Sequence, residues 1–181
     1  MEWRDTTMTS ASSNRPRSEM SLDNVSPAAP TTQDALQLLR SDHQRIEALL
    51  SDCLRLAVEE RGLAPSADRN GCLERLAALL QVHAQIECEL FYPLLKVDAL
   101  ERDSAQLDHD EILVQLKALL VHAPPQDDFE RQMGALAQLI RNHIVHEEGQ
   151  LFRRLGSPDL DALGAQLAVR RGALLGEQGA D

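Results

Sequence analysis

Leu76-Ala-Ala-Leu-Leu-Gln-Val-His83-Ala-Gln-Ile-Glu87-Cys-Glu-Leu-Phe-Tyr-Pro-Leu94 is the stretch on which the fold turns. Its apolar residues, Leu76, Leu79, Leu80, Ile86, Leu90 and Leu94, recur at helical spacing around His83 and define one face of an amphipathic helix. Residues four apart on a helix stand one turn above each other. His83 and Glu87 therefore share the inward face, and a histidine paired with a carboxylate at that spacing can address one metal centre.

The motif occurs again as His143-Ile-Val-His-Glu147, with Leu136, Leu139 and Ile140 before it and Leu151 after it. Each copy is preceded by a lone histidine on an apolar stripe. His43 sits among Leu36, Leu39, Ile46, Leu50 and Cys53, and His109 precedes Ile112, Leu113, Leu116 and Leu120. Burying an ionised carboxylate costs several kcal/mol even after relaxation, and no Lys or Arg lies on these stripes to offset it. The pattern lacks a cation. Four imidazoles and two carboxylates suit iron, manganese or zinc, so His43, His83, Glu87, His109, His143 and Glu147 are the expected metal ligands.

Working outward, 181 residues with 43% hydrophobic and only 3% aromatic content, rich in Leu and Ala, point to an all-α fold with one sizeable core. The formal net charge of −11 argues against binding to nucleic acid or an anionic membrane surface. Cys53, Cys72 and Cys88 form no C-x-x-C pair and read as reduced thiols. No apolar run approaches the roughly 20 residues that span a bilayer, and the N-terminus carries no continuous apolar segment. The expectation is a cytoplasmic protein.

Residues 1–30, rich in Ser, Thr, Pro and Asn, show no apolar periodicity and read as a disordered tail, with Trp3 as a lone candidate docking residue. The first helix is predicted from Thr31 or Thr32 to about Glu60. The second follows a loop or ragged start over 64–71 and runs to about Lys96, kinked by Pro93. The third spans about Glu101 to His122, and the fourth about Asp128 to Leu155. His122 reads as a residue capping a helix end. A short fifth helix begins at Ser157-Pro158-Asp159, with Ser157 as its cap, and residues 177–181 form a flexible end. Short links between long helices make neighbours antiparallel, giving an up-down-up-down four-helix bundle over 31–176. At about 1.5 Å per residue, the six candidate ligands then all lie roughly 20 to 30 Å from the same end of the bundle.

A lone His, His-x-x-x-Glu, a lone His and His-x-x-x-Glu on successive helices resembles the hemerythrin-like, or HHE cation-binding, family. The strings His83-Ala-Gln-Ile-Glu87, Leu90-Phe91-Tyr92-Pro93 and His143-Ile-Val-His-Glu147-Glu148 resemble its second and fourth helices, and the resemblance covers about residues 33–175. It implies two iron ions, with the four histidines as terminal ligands, Glu87 and Glu147 as bridging carboxylates, and an oxo or hydroxo bridge. Oxygen-carrying members have a second histidine four residues after that of the third helix. Leu113 stands there in this chain, which argues against reversible oxygen carriage, and His146, one turn from His143, is the alternative donor.

The resemblance implies a small diatomic or peroxide ligand, in sensing, detoxification or stress response. Two other functions compete: donation of iron for iron-sulfur cluster repair, and a metal-stabilised interaction module without chemistry. A ferritin-like site fails on residue order and a zinc protease on the missing His-Glu-x-x-His string. Glu89, Glu148, Asp110 and Glu111 flank ligands and are expected to project sideways, with Asp42 or Asp108 holding an imidazole tautomer. Cys88 reads as a packed, inert thiol.

Overall fold

A computed structural model describes residues 33–60, 63–64, 66–122 and 126–178 of the chain. The expected tail with Trp3, the His122 side chain and residues 179–181 lie outside the described residues.

The helices are α1 (Ala35–Glu59), α2 (Ala67–Ile86), α3 (Ala99–His122), α4 (Gln126–Gly149) and α5 (Leu160–Gln178). α1 packs on α2 and α4, α3 packs on the same two, and α5 lies against α1 and α2. This is the expected four-helix bundle with a fifth helix laid on its side. Among the described residues, no helix is long and apolar enough to cross a membrane.

The caps fall where a side-chain oxygen can satisfy an orphaned first-turn N–H. Asp34 accepts from Gln37 N at 2.8 Å and caps α1, while Thr31 and Thr32, the expected starts, lie outside the described residues. Ser66 accepts from Arg69 N and starts α2, and Asp98 accepts from Glu101 N at the start of α3. Asp159, not Ser157, caps α5, since its carboxylate accepts from Asp161 N and Ala162 N.

The second helix departs most from expectation. Its α-helical part ends at Ile86, a π turn follows over Glu87–Phe91, and a 3₁₀ turn covers Tyr92–Leu94. Pro93 has no N–H to donate and its ring crowds the carbonyl one turn back, so a regular α-helix to Lys96 is blocked. The fourth helix likewise stops at Gly149 and continues as a 3₁₀ turn over Leu151–Arg154. The two irregular ends are tied together: Lys96 N donates to Arg154 O at 2.7 Å and Gly156 N to Leu94 O at 3.1 Å.

The core divides into two apolar clusters. One holds Ile46, Leu50, Leu76, Leu80, Ile112, Leu116, Leu136 and Ile140; the other holds Leu38, Leu39, Val82, Ile86, Phe91, Leu151 and Phe152. Along α1, α3 and the fourth helix with its 3₁₀ extension, the switch between clusters falls at the histidines: His43 between Leu39 and Ile46, His109 between Ala105 and Ile112, His143 between Ile140 and Leu151. A single polar layer therefore lies between two apolar ones.

Candidate metal centre

All six residues singled out from the sequence meet in that layer. His43, His83, His109, His143, Glu87 and Glu147 are each at least 97% buried. Helical spacing explains the pairs within helices, with His83 Nε2 3.3 Å from Glu87 Oε2 and His143 Nε2 3.6 Å from Glu147 Oε2. Antiparallel threading explains the pairs between helices. His109 Nε2 lies 3.2 Å from Glu87 Oε2, and His43 Nε2 lies 3.1 Å from both Glu147 Oε2 and His83 Nε2.

The donor atoms fall into two groups, each compact to within 4.8 Å: His83, Glu87, His109 and His143, and His43, His83, Glu87 and Glu147. The groups overlap at His83 and Glu87. Among the described residues, the ion pairs of Glu87 and Glu147 are all with histidines. His146, the alternative donor, belongs to neither group.

Hydrogen bonding leaves these donors unsatisfied. Both oxygens of Glu87, one of Glu147, both ring nitrogens of His109 and of His143, and Nδ1 of His83 are buried without a hydrogen-bond partner. Buried polar groups are almost always paired, so this concentration of orphans at one spot fits a missing cation. His43 makes the point at a single atom. Its Nδ1 donates to Glu148 Oε1 at 2.8 Å, so in a neutral ring Nε2 would be a lone pair directed at a carboxylate oxygen. Two lone pairs face each other unless a proton or a metal lies between them.

The protonation tendencies agree. Burial, then the charge of Glu147, drives the Glu87 carboxyl well above its usual range. Burial also raises that of Glu147, but the His43 hydrogen bond and the surrounding imidazoles outweigh it and hold this carboxyl low. Burial depresses His83 and His143, and brings His109 down to about 3, so these rings are neutral. For His43 burial is overcome by Glu147 and Glu148, which raise it.

Two further residues reach the site. Glu148, expected to project sideways, is the carboxylate that orients His43 and is itself approached by Arg40 at 3.5 Å. Asp42, an expected orienting group, instead meets Arg171 of α5 at 3.0 Å and Arg45 at 3.4 Å. Tyr92 is buried with its ring stacked on His109 at 5.9 Å and its hydroxyl unsatisfied. Burial first, then the carboxylates of Glu87 and Glu147, push its ionisation up. The π turn helps put it there: Tyr92 N–H bonds to Glu87 O, which turns Tyr92 towards the face of Glu87, whereas in an α-helix the two would be about 140° apart. Phe152 closes the layer against His43, ring to ring at 6.1 Å.

Comparison with known proteins agrees with this geometry. A comparison with curated proteins gives no match. The chain is similar in structure to a hemerythrin HHE cation binding domain-containing protein from Mycobacterium kansasii, with a TM-score of 0.67 and 23% identity, covering 80% of this chain and 89% of that one. The hemerythrin HHE cation binding domain matches residues 34–155, which take in every member of the buried His/Glu layer. The chain belongs to the hemerythrin HHE cation-binding domain family.

Proposed function

We propose that this protein holds a di-iron centre and uses it to bind or react with a small ligand, oxygen, nitric oxide or peroxide, in sensing, detoxification or stress response. The observation that carries this is the pair of overlapping donor groups sharing His83 and Glu87, populated by buried atoms that lack partners. One group suits one ion, and a shared carboxylate suits two neighbouring ions. His43, His83, His109 and His143 would be terminal ligands, with Glu87 and Glu147 as the carboxylates between the ions.

When bound, iron would supply redox chemistry and exchangeable coordination positions for the small ligand. The chain's own residues set the conditions. Neutral His83, His109 and His143 present lone pairs without first losing a proton, and Glu148 fixes the tautomer that presents His43 Nε2. Phe91, Phe152 and the aliphatic clusters on either side keep bulk water from the layer. The Tyr92 hydroxyl, buried without a partner and held un-ionised beside the His109 ring, is available as a proton donor. Leu113 leaves the third helix without a second imidazole, which favours reaction over reversible carriage.

Anaerobic reconstitution with ferrous iron followed by metal analysis tests the reading. Two metals per chain are expected, with most lost in Glu87→Ala and in Glu147→Ala. Saturation at one metal, or retention of two in the double variant, contradicts it. Mixing the reduced protein with oxygen should give an optical change that deoxygenation does not reverse. A change that reverses fully would restore oxygen carriage.

A further inference from the structure

The buried layer is closed on most sides. Phe152 and Glu148 cover His43, Tyr92 covers His109, and α5 seals the outside of α1 through Arg171 and Asp42. Between α3 and α4, however, lies a cleft of about 270 Å³ at the level of the site. Asp108 and Glu111 line it from α3, and Asn142 and His146 from α4, with the His143 ring as a further wall.

His143 makes this more than an acidic surface notch. It is only 3% exposed, neither of its ring nitrogens has a hydrogen-bond partner, and its ring lies 4.2 Å from that of His109. The cleft thus leads from solvent to an unsatisfied donor of the candidate centre. Its wall chemistry is that of a cation path. Two carboxylates concentrate positive charge at the mouth, and no Lys or Arg lines the cleft. The His146 imidazole and the Asn142 side-chain oxygen can replace waters of a hydrated divalent ion. A neutral diatomic molecule or hydrogen peroxide has no net charge for the carboxylates to attract.

We propose that the α3–α4 cleft is the entrance by which a ferrous ion reaches the centre, drawn by Asp108 and Glu111, relayed by His146 and received by His143. The inference rests on the reading of His143 as a metal donor. It assigns His146 a transit role one turn outside the centre, consistent with its absence from both donor groups.

Anaerobic stopped-flow loading of the full-length apo-protein with ferrous ion tests it, read by the rate of uptake and by the final metal content. In Asp108→Asn/Glu111→Gln, uptake at low ionic strength should slow about tenfold while the final content equals that of the unmodified chain. Added salt should slow the unmodified chain towards the variant, because screening removes the attraction. Asn142→Lys, at an exposed position that the fold tolerates, should slow uptake at least as much. Unchanged rates in both variants would overturn the entrance. So would a lower final content in the carboxylate variant, which would make those residues ligands. If the unmodified chain takes up no iron, the metal centre itself fails, a result distinct from either.

Discussion

Glu148 shows what a single residue adds to the candidate centre. Its carboxylate is the only group bonded to His43 Nδ1 among the described residues, so Glu148→Ala frees the ring to rotate and removes the tautomer preference. Metal affinity should fall about 10- to 100-fold with two metals still bound at saturation, and Glu148→Gln, which keeps an acceptor, should recover part of it. Titration with a competing chelator reads both. Protons give a second test. Metals bind the deprotonated donors, and of the six only Glu87 and His43 are raised towards holding a proton. His83, His109 and His143 are depressed and already neutral at pH 7. Metal loading should therefore release protons, since Glu87 and His43 are the donors raised towards holding them, and affinity should fall as the pH is lowered. Calorimetry in buffers of different ionisation enthalpy reads the release, and an affinity independent of pH would contradict these assignments. The six donors were legible in the sequence because helical periodicity fixes what shares a face. Glu148 and Tyr92 were not: an acid beside a ligand is ambiguous between solvent and a neighbouring helix, and Tyr92 reaches the layer with the help of a π turn.

At the scale of elements, the helices were readable from apolar spacing and breakers, whereas their ends were decided by which of several adjacent oxygens reaches an N–H. Asp159 prevailed over Ser157 for that reason. The irregular turn at Pro93 had a visible cause but not a visible form, since proline forbids the α-helix without choosing what replaces it. The docking of α5 was beyond periodicity altogether and depends on a close approach. A Cβ on Gly164 would sit 2.3 Å from Gln33 O and 2.9 Å from Ala35 N, both backbone atoms that cannot swing aside. Gly164→Ala should destabilise the fold by about 1–3 kcal/mol, measured by urea denaturation. The same interface carries Arg171 against Asp42, a fully buried carboxylate whose other described cationic partner is the half-exposed Arg45. Arg171→Ala should cost roughly 3 kcal/mol, and Arg171→Ala/Asp42→Ala much less than the sum of the single changes. Additive costs would show that the pair does not interact.

For the whole molecule, the metal and the fold are one equilibrium. Without ions, the bundle brings two carboxylates and four imidazoles together with many unsatisfied atoms. An ion present at a hundred times its dissociation constant adds about 2.7 kcal/mol per site. At about 2–4 °C per kcal/mol for a domain of this size, two ions should raise the melting temperature by about 10–20 °C. Chelation that leaves melting unchanged would show that the layer needs no cation. The polar layer also has a consequence in time. Its donors come from residues 43 to 147, on four helices, so no helical hairpin alone contains either donor group. Each ion can be fully held only after three helices have docked, and the pair only after all four, late on the folding path. Its stabilisation should accordingly be missing from the transition state and appear in the unfolding rate alone. In chevron experiments with and without metal, the folding limb should coincide while the unfolding limb drops. Iron would then act as a latch on a finished structure and not as a nucleus for building it.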